Sequence, residues 1–366
     1  MKRRLPSTTR DAPRATRPGI RDTPVARGSV LLLVLWTLFF LSALALAVAA
    51  YVGGGIELAG ALKSDRIGYF AARAGVEQAI TVVVCDSNGW DALTESWSND
   101  EETFRDVAVG EGRFTVKWVG PHEKSGRKTR YGLSDEESRI SLNSARTDRA
   151  VLRALLQRIG ELDPAKALRI ADAIVDWRDG DDQELTEGAE NGYYQALPSA
   201  YKCHNGPLDC VEELLLVREV TPELFRALEP YVTVYGSGIV NINTAGRDVL
   251  ATLGDAVAGK ATPASDSLAD RILAFREKGE VFERADVSGI VGVLQKSVGL
   301  QGAEALLLRR MLKYVGLKST CYRGVVTGSR SVGPGRASDA EAPSGERTIT
   351  FVFDRVERAR LMWRED

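Results

Sequence analysis

The chain has 366 residues, 44% of them hydrophobic and 27% charged, with a formal net charge of -2. That leaves room for a well-cored protein of more than one domain. The basic residues are concentrated at the start and the remainder is acidic, which excludes a surface built as a whole for binding a phosphate backbone.

In chain order, the opening segment carries Lys2, Arg3, Arg4, Arg10, Arg14, Arg17, Arg21 and Arg27 against only Asp11 and Asp22. From Val30 to Val52 no residue is charged, and at about 1.5 Å per residue a helix of that length crosses the roughly 30 Å of bilayer hydrocarbon. A cleaved secretory core is shorter, about 7 to 15 residues, so the run predicts a single membrane span. The basic flank predicts a cytoplasmic amino terminus and export of everything after Tyr51. Beyond Gly53-Gly54-Gly55, Ile67, Phe70, Ala71 and Ala74 fall on one stripe, with Lys63, Asp65, Arg66 and Arg73 largely off it. The same helix is therefore predicted to continue in amphipathic form. The alternating runs TFRDVAV, GRFTVKWV and RKTRYGL predict antiparallel strands packed on that stripe.

The middle of the chain repeats itself. ISLNSARTDRAVLRALL aligns with VNINTAGRDVLATLGDA, bringing Asn143 onto Asn243 and Ala145 onto Ala245, and ADAIVDWRDGD aligns with ADRILAFREKG, bringing Ala171 onto Ala269. Two copies of a helical unit are predicted, 140–235 and 236–316, each similar to a SAM-like or helix-hairpin-helix module. Such modules often bind DNA, which opens an alternative function: a membrane-anchored DNA-binding protein of a competence or uptake machine. The hairpin turns lack a Lys/Arg cluster, and no nucleic acid is expected as a partner.

Only the first copy contains the acidic loop with Asp176, Asp179, Asp181, Asp182, Glu184, Glu187 and Glu190. Their mutual repulsion favours a cation, and calcium is a hard ion that takes about 6 to 8 oxygen ligands. The register is not that of an EF-hand; a solvated acidic surface is the competing reading. Trp177, Tyr193 and Tyr194 are read as packing anchors. The cysteines Cys85, Cys203, Cys210 and Cys321 fit an oxidising compartment. Cys203 and Cys210, in CHNGPLDC, would close a short disulfide loop, the alternative being four free thiols; zinc here is disfavoured because the other histidine, His122, is isolated. TCYRGVVTGSR and RTITFVFDRVERARLMW alternate like strands on either side of a Gly/Pro/Ser-rich loop and would complete the sheet begun before Ser134, making the helical region an insertion. No nucleotide-binding or hydrolase motif is present, and the chain is expected not to be an enzyme.

Arg27-Gly28 followed by Ser29 and an apolar helix is similar to a prepilin-peptidase site. SDEESRISLNSA, ADAIVDWRDGDDQELTEGAENGYY, LEPYVTV and VNINTA, in this order, resemble the K-type minor pseudopilins (GspK family) of the type II secretion system, over nearly the whole chain after Gly28. The resemblance implies an α+β fold, with a pilin-like long N-terminal helix on a small antiparallel sheet and a large inserted α-helical domain made of the two repeats. The implied boundaries are a cleaved leader at 1–28, the long helix at 29–84 with its membrane span at 30–52, the sheet at 85–142 and 317–366, and the insertion at 143–316. Cleavage would follow Gly28 and leave Ser29 as an N-methylated terminus. Leu33 would then occupy the fifth mature position, where filament-body pilins carry a glutamate that meets the terminal amine of the subunit above. A charge there costs about 2.5 to 3.5 kcal/mol without a partner, and a subunit at the tip has no neighbour above it. K-type pseudopilins carry calcium in the acidic region, which favours calcium over the solvated-loop reading. The expected ligands are Asp179, Asp181, Glu184 and Glu190, with Asp176 as a further ligand or as a cap at the helix exit. The implied partners are the I- and J-type minor pseudopilins, the major pseudopilin, the prepilin peptidase and the inner-membrane secretion platform. The implied location is the bacterial inner membrane, single-pass with a periplasmic C-terminal part, and after assembly the tip of the pseudopilus that drives export of folded proteins.

Overall fold

The computed structural model describes residues 27–119, 129–283, 287–300, 302–331 and 345–366. The first 26 residues, His122 and most of the Gly/Pro/Ser-rich loop lie outside the described residues. Helix α1 (Arg27–Cys85) runs unbroken through Gly53, Gly54 and Gly55. Its first part, to Ala59, forms a unit by itself, apolar and exposed from Val30 to Val52. Among the described residues it is the one helix long and apolar enough to cross a membrane.

From Gly60 onward, α1 lies on a sheet through Ser64, Gly68, Ala71, Ala72, Gly75, Val76, Ala79 and Val83. This stripe overlaps the expected one in part: Ala71 is buried and Ala74 packs against the core, whereas Phe70 points outward and is 56% exposed. The reason is close approach. A side chain at Gly328 would run into the Gly68 carbonyl and the Ala72 backbone, and one at Gly75 into Phe114 and Val326. Only small residues bring the helix that near, so bulk did not mark the buried face.

A single turn, α2 (Glu101–Phe104), capped by Asp100, leads into β1 (Val107–Val109), β2 (Gly112–Val119), β3 (Thr129–Tyr131) and β4 (Ser134–Asp135). The helical region follows and opens on β5 (Ile140–Ser141). Its first copy contains α3 (Arg149–Arg158), α4 (Pro164–Arg178), α5 (Asn191–Gln195), α6 (Pro222–Leu228) and β6 (Val232–Thr233). The second contains β7 (Val240–Asn241), α7 (Arg247–Ala258), α8 (Pro263–Glu277), α9 (Val287–Val298), α10 (Gly302–Met311) and β8 (Val315–Gly316). The chain then returns to β9 (Cys321–Arg330), β10 (Arg347–Asp354) and β11 (Ala359–Glu365). The antiparallel sheet has the order β1-β2-β9-β10-β11, with β3 on β2 and β4 on β9. Strands from before and after the helical region thus share one sheet, and Phe114, Val116, Tyr322, Val326, Ile349, Phe351 and Phe353 form its core with α1.

The helical region has a separate core, and its two copies use the same devices. Short parallel bridges close each copy: Ile140 with Val232 in the first, Val240 with Val315 in the second. Asn143 exchanges hydrogen bonds with the Leu208 backbone, N–H to Oδ1 at 2.8 Å and Nδ2 to O at 2.9 Å; Asn243 does the same with Phe282, both at 3.0 Å. Arg149 pairs with Asp172 and Arg247 with Asp270. The last arginine of the second long helix reaches back to the opening turn in both copies: Arg178 donates to the Leu142 and Thr147 carbonyls, and Arg276 donates to Ala245 O at 2.5 Å. Arg158 joins the copies through Asp255 and Asp266.

Candidate functional site

The copies differ at the exit of α4. Asp163 accepts the Ala165 and Lys166 N–H groups, Pro164 presets the first turn, and Ala167, Ile170, Ala171, Ile174 and Trp177 bury one face. These features fix where the helix ends. Trp177, Tyr194 and Tyr201 form an aromatic cluster with centroids 5.1 to 6.2 Å apart. Tyr193 packs edge-on against Tyr194. The aromatic residues are the packing anchors that their sequence suggested.

Above this cluster, Asp179, Asp181 and Glu190 each offer an oxygen, and these oxygens lie within 4.8 Å of one another. Both Glu190 oxygens and Asp179 Oδ1 are buried and accept no hydrogen bond. Glu190 stands at the start of α5 yet makes no capping bond. Buried carboxylate oxygens without donors are costly, and three in one corner fit an ionic partner. Burial, followed by the charges of Asp176 and Asp179, pushes Glu190 up to about 7. Burial raises Asp179 as well, with the charge of Asp181 adding to it.

The structure sets two of the five expected ligands apart from this group. Asp176 is fully buried, and its carboxylate accepts the N–H groups of Leu185 at 3.2 Å and Ala189 at 2.8 Å. It therefore holds the loop instead of facing its centre, and burial pushes it up to about 6. A side chain at Gly188 would collide with this carboxylate. Glu184 is exposed and outside the group, because the loop turns its backbone N–H groups inward to Asp176. Asn205 was missed. Its Nδ2 donates to the Asp181 carbonyl and to Asp182 Oδ1, both at 2.9 Å, its Oδ1 is buried without a donor, and its φ is +49°. In sequence, Asn205-Gly206 signals only a turn.

The Cys203–Cys210 bridge is not formed, and all four cysteines are free thiols. Cys203 is buried, with Sγ directed to the Asp176 carbonyl at 3.8 Å. The Cys210 N–H donates to Glu213, which also receives Trp177 Nε1 at 3.2 Å and lies 3.1 Å from His204 Nδ1. Gly28 and Ser29 fall in the first turn of α1, and Leu33 lies on its exposed apolar surface.

Residues 131–237, which span β3 to the end of the first copy, match the family model described as type II secretion system, protein K. Over this stretch the chain is similar to the protein K family. Over 178 residues it is 28% identical to type II secretion system protein K of Klebsiella pneumoniae, covering 46% of this chain and 50% of that relative. Over 95 residues it is 39% identical to protein K of Aeromonas hydrophila, covering 25% of this chain and 28% of that relative. The matched stretch thus spans half, or less, of the length of these relatives. The acidic loop lies inside the matched stretch. In fold, the chain is similar to a chain of the solved GspK-GspI-GspJ complex of the type 2 secretion system of enterotoxigenic Escherichia coli. The TM-score is 0.57 at 15% identity, covering 81% of this chain and 95% of that one.

Proposed function

We propose that this chain is a minor pseudopilin of type II secretion, which caps or initiates a periplasmic pseudopilus and does mechanical, not catalytic, work. The observation that carries this reading is architectural: a stretch similar to protein K, set within a region of two helical copies, interrupts a sheet on which a long helix lies. That helix opens with a 23-residue uncharged run, Val30 to Val52, whose side chains are exposed. Such a surface suits lipid first and the helices of neighbouring subunits afterwards. In this reading the peptidase cuts after Gly28, the part beyond the membrane lies in the periplasm, and the partners are the I- and J-type minor pseudopilins, the major pseudopilin and the inner-membrane platform. The GspK-GspI-GspJ complex supports the choice of I and J types.

Calcium belongs to the same proposal, held by Asp179, Asp181 and Glu190. The ion would neutralise a corner in which buried carboxylates otherwise lack donors, tying the exit of α4 to the start of α5. Deleting the gene in its host tests the function. Exoproteins are expected to accumulate in the periplasm and to be released again when the chain is supplied in trans; unchanged secretion together with lost DNA uptake would favour the DNA-binding alternative.

A further inference from the structure

The chain enters the helical region through Asp135, Glu136 and Glu137 and returns to the sheet through Ser319 and Thr320. At this crossing the carboxylates of Asp91, Asp135, Glu136 and Glu137 are each at most 1% exposed. Two of them have cations: Arg355 holds Asp91 through Nη1 at 3.0 Å and Nη2 at 2.9 Å, and Arg323 and Arg139 share Glu136. Among the described residues, Asp135 and Glu137 are bonded by neutral donors alone. We propose that Asp135 is kept as the neutral acid in the folded chain and that its proton helps to seat the helical region on the sheet.

The donors tell the two carboxyls apart. Glu137 accepts the backbone N–H groups of Ser237 and Thr320 at 3.0 Å and of Cys321 at 3.1 Å, and the Thr320 hydroxyl at 2.6 Å. A backbone N–H cannot turn round to accept, so this carboxyl is built to be ionised. Asp135 Oδ1 accepts one backbone N–H, from Glu137 at 2.8 Å. Its Oδ2 meets the Thr244 hydroxyl, the Ser319 hydroxyl at 2.7 Å and Asn241 Nδ2 at 3.2 Å. Hydroxyls donate or accept. With a proton on Oδ2, Asp135 donates to Thr244 Oγ1, whose own hydrogen has a second acceptor in the Asn241 carbonyl at 3.4 Å. The two Nδ2 hydrogens of Asn241 keep Asp91 O at 3.0 Å and Ser319 Oγ at 2.8 Å. The neutral form is thus bonded throughout without displacement of a heavy atom.

The charges facing Asp135 agree. Glu137 and Asp91 are negative neighbours. Arg355 is taken up by Asp91 and Asp86, and Arg323 and Arg139 by Glu136. Tyr322, with its hydroxyl on Asp91 at 2.8 Å, is kept neutral by burial. Burial pushes Asp135 well above the usual carboxylate range and the charge of Glu137 adds to it, against the bonds from Thr244 and Ser319. Asp135 belongs to β4, Asn241 and Thr244 open the second copy, and Ser319 leads into β9. One carboxyl therefore joins both crossings of the chain to the helical region.

Asp135→Asn in the detergent-solubilised full chain tests this. A carboxyl that keeps its proton when folded contributes less stability as pH rises above its ordinary value of 3.8, because the unfolded chain has by then released the proton. An amide does not titrate. The variant is expected to gain on wild type in melting temperature between about pH 4 and about pH 8, by about 3 °C or more. In infrared difference spectra at about pH 7, wild type is expected to show the carbonyl band of a protonated carboxylic acid that the variant lacks. A gap in melting temperature that stays constant or moves towards wild type overturns the proposal, as does absence of that band. A variant that fails to fold overturns it too, because an amide replaces a neutral acid more readily than a charged one.

Discussion

Single residues decide whether the acidic loop is a cation site or only a charged surface. If calcium binds the folded chain alone, a hundredfold excess over Kd stabilises it by about 2.7 kcal/mol. EDTA is expected to lower the melting temperature of wild type and to have little effect on Asp181→Asn with Glu190→Gln; an EDTA-insensitive wild type would leave the loop without its ion. The pH dependence carries its own sign. Glu190 is raised from 4.5 to about 7, so between those values the folded chain binds a proton that the unfolded chain has released, and stability falls as pH rises through this window. In EDTA, Glu190→Gln is expected to match wild type near pH 4.5 and to exceed it at about pH 8, with the order reversed when calcium is saturating. Thermal melting across that range checks it, and a wild type equally stable to the variant at the upper end would contradict it. The acidic loop was legible because seven carboxylates in one stretch stand out in any sequence. Which of them face inward was not. Asp176 and Glu184 were separated by the path of the backbone N–H groups of Leu185 and Ala189, and Asn205 came in from a segment whose only local signature is a turn.

At the level of elements, the long helix and the strands could be read from period and alternation, and the register between them could not. Of the apolar stripe expected through Ile67, Phe70, Ala71 and Ala74, Ala71 is buried and Ala74 packs on the core while Phe70 faces outward; Gly68, Ala72, Gly75 and Val76 complete the contact, because a helix lying this close to a sheet selects for small side chains. Gly328→Val is accordingly expected to destabilise the protein by about 1 to 3 kcal/mol or to prevent its folding, since the new side chain meets the Gly68 and Ala72 backbone. Val325→Ala on the same strand serves as the comparison, because Val325 is only partly buried; a similar melting temperature for the two variants would contradict the close contact. The repeat was legible in Asn143 and Asn243, each of which exchanges hydrogen bonds with a distant backbone segment of its own copy; the matching pairs Arg149–Asp172 and Arg247–Asp270 emerge only from the structure. The loop present in one copy alone marks where the two part company.

At the scale of the whole molecule, a helix long and apolar enough to cross a membrane and a sheet with a helical insertion belong to one chain. If the peptidase reading is right, the intact mass of the membrane-extracted protein is that of a chain beginning at Ser29, and replacing Gly28 by a bulky residue leaves the leader attached; a mature terminus elsewhere would contradict it. Leu33→Glu is expected to impair secretion while leaving the detergent-solubilised protein folded, since a carboxylate at that depth costs about 2.5 to 3.5 kcal/mol unless an amine meets it. The most direct measurement is affinity isolation of the tagged full chain from solubilised membranes of its host, followed by mass spectrometry. A minor pseudopilin is expected to bring with it small proteins that share an apolar amino-terminal helix, in near-equal amounts. Recovery of the chain with DNA or DNA-uptake proteins and without such partners would contradict the account.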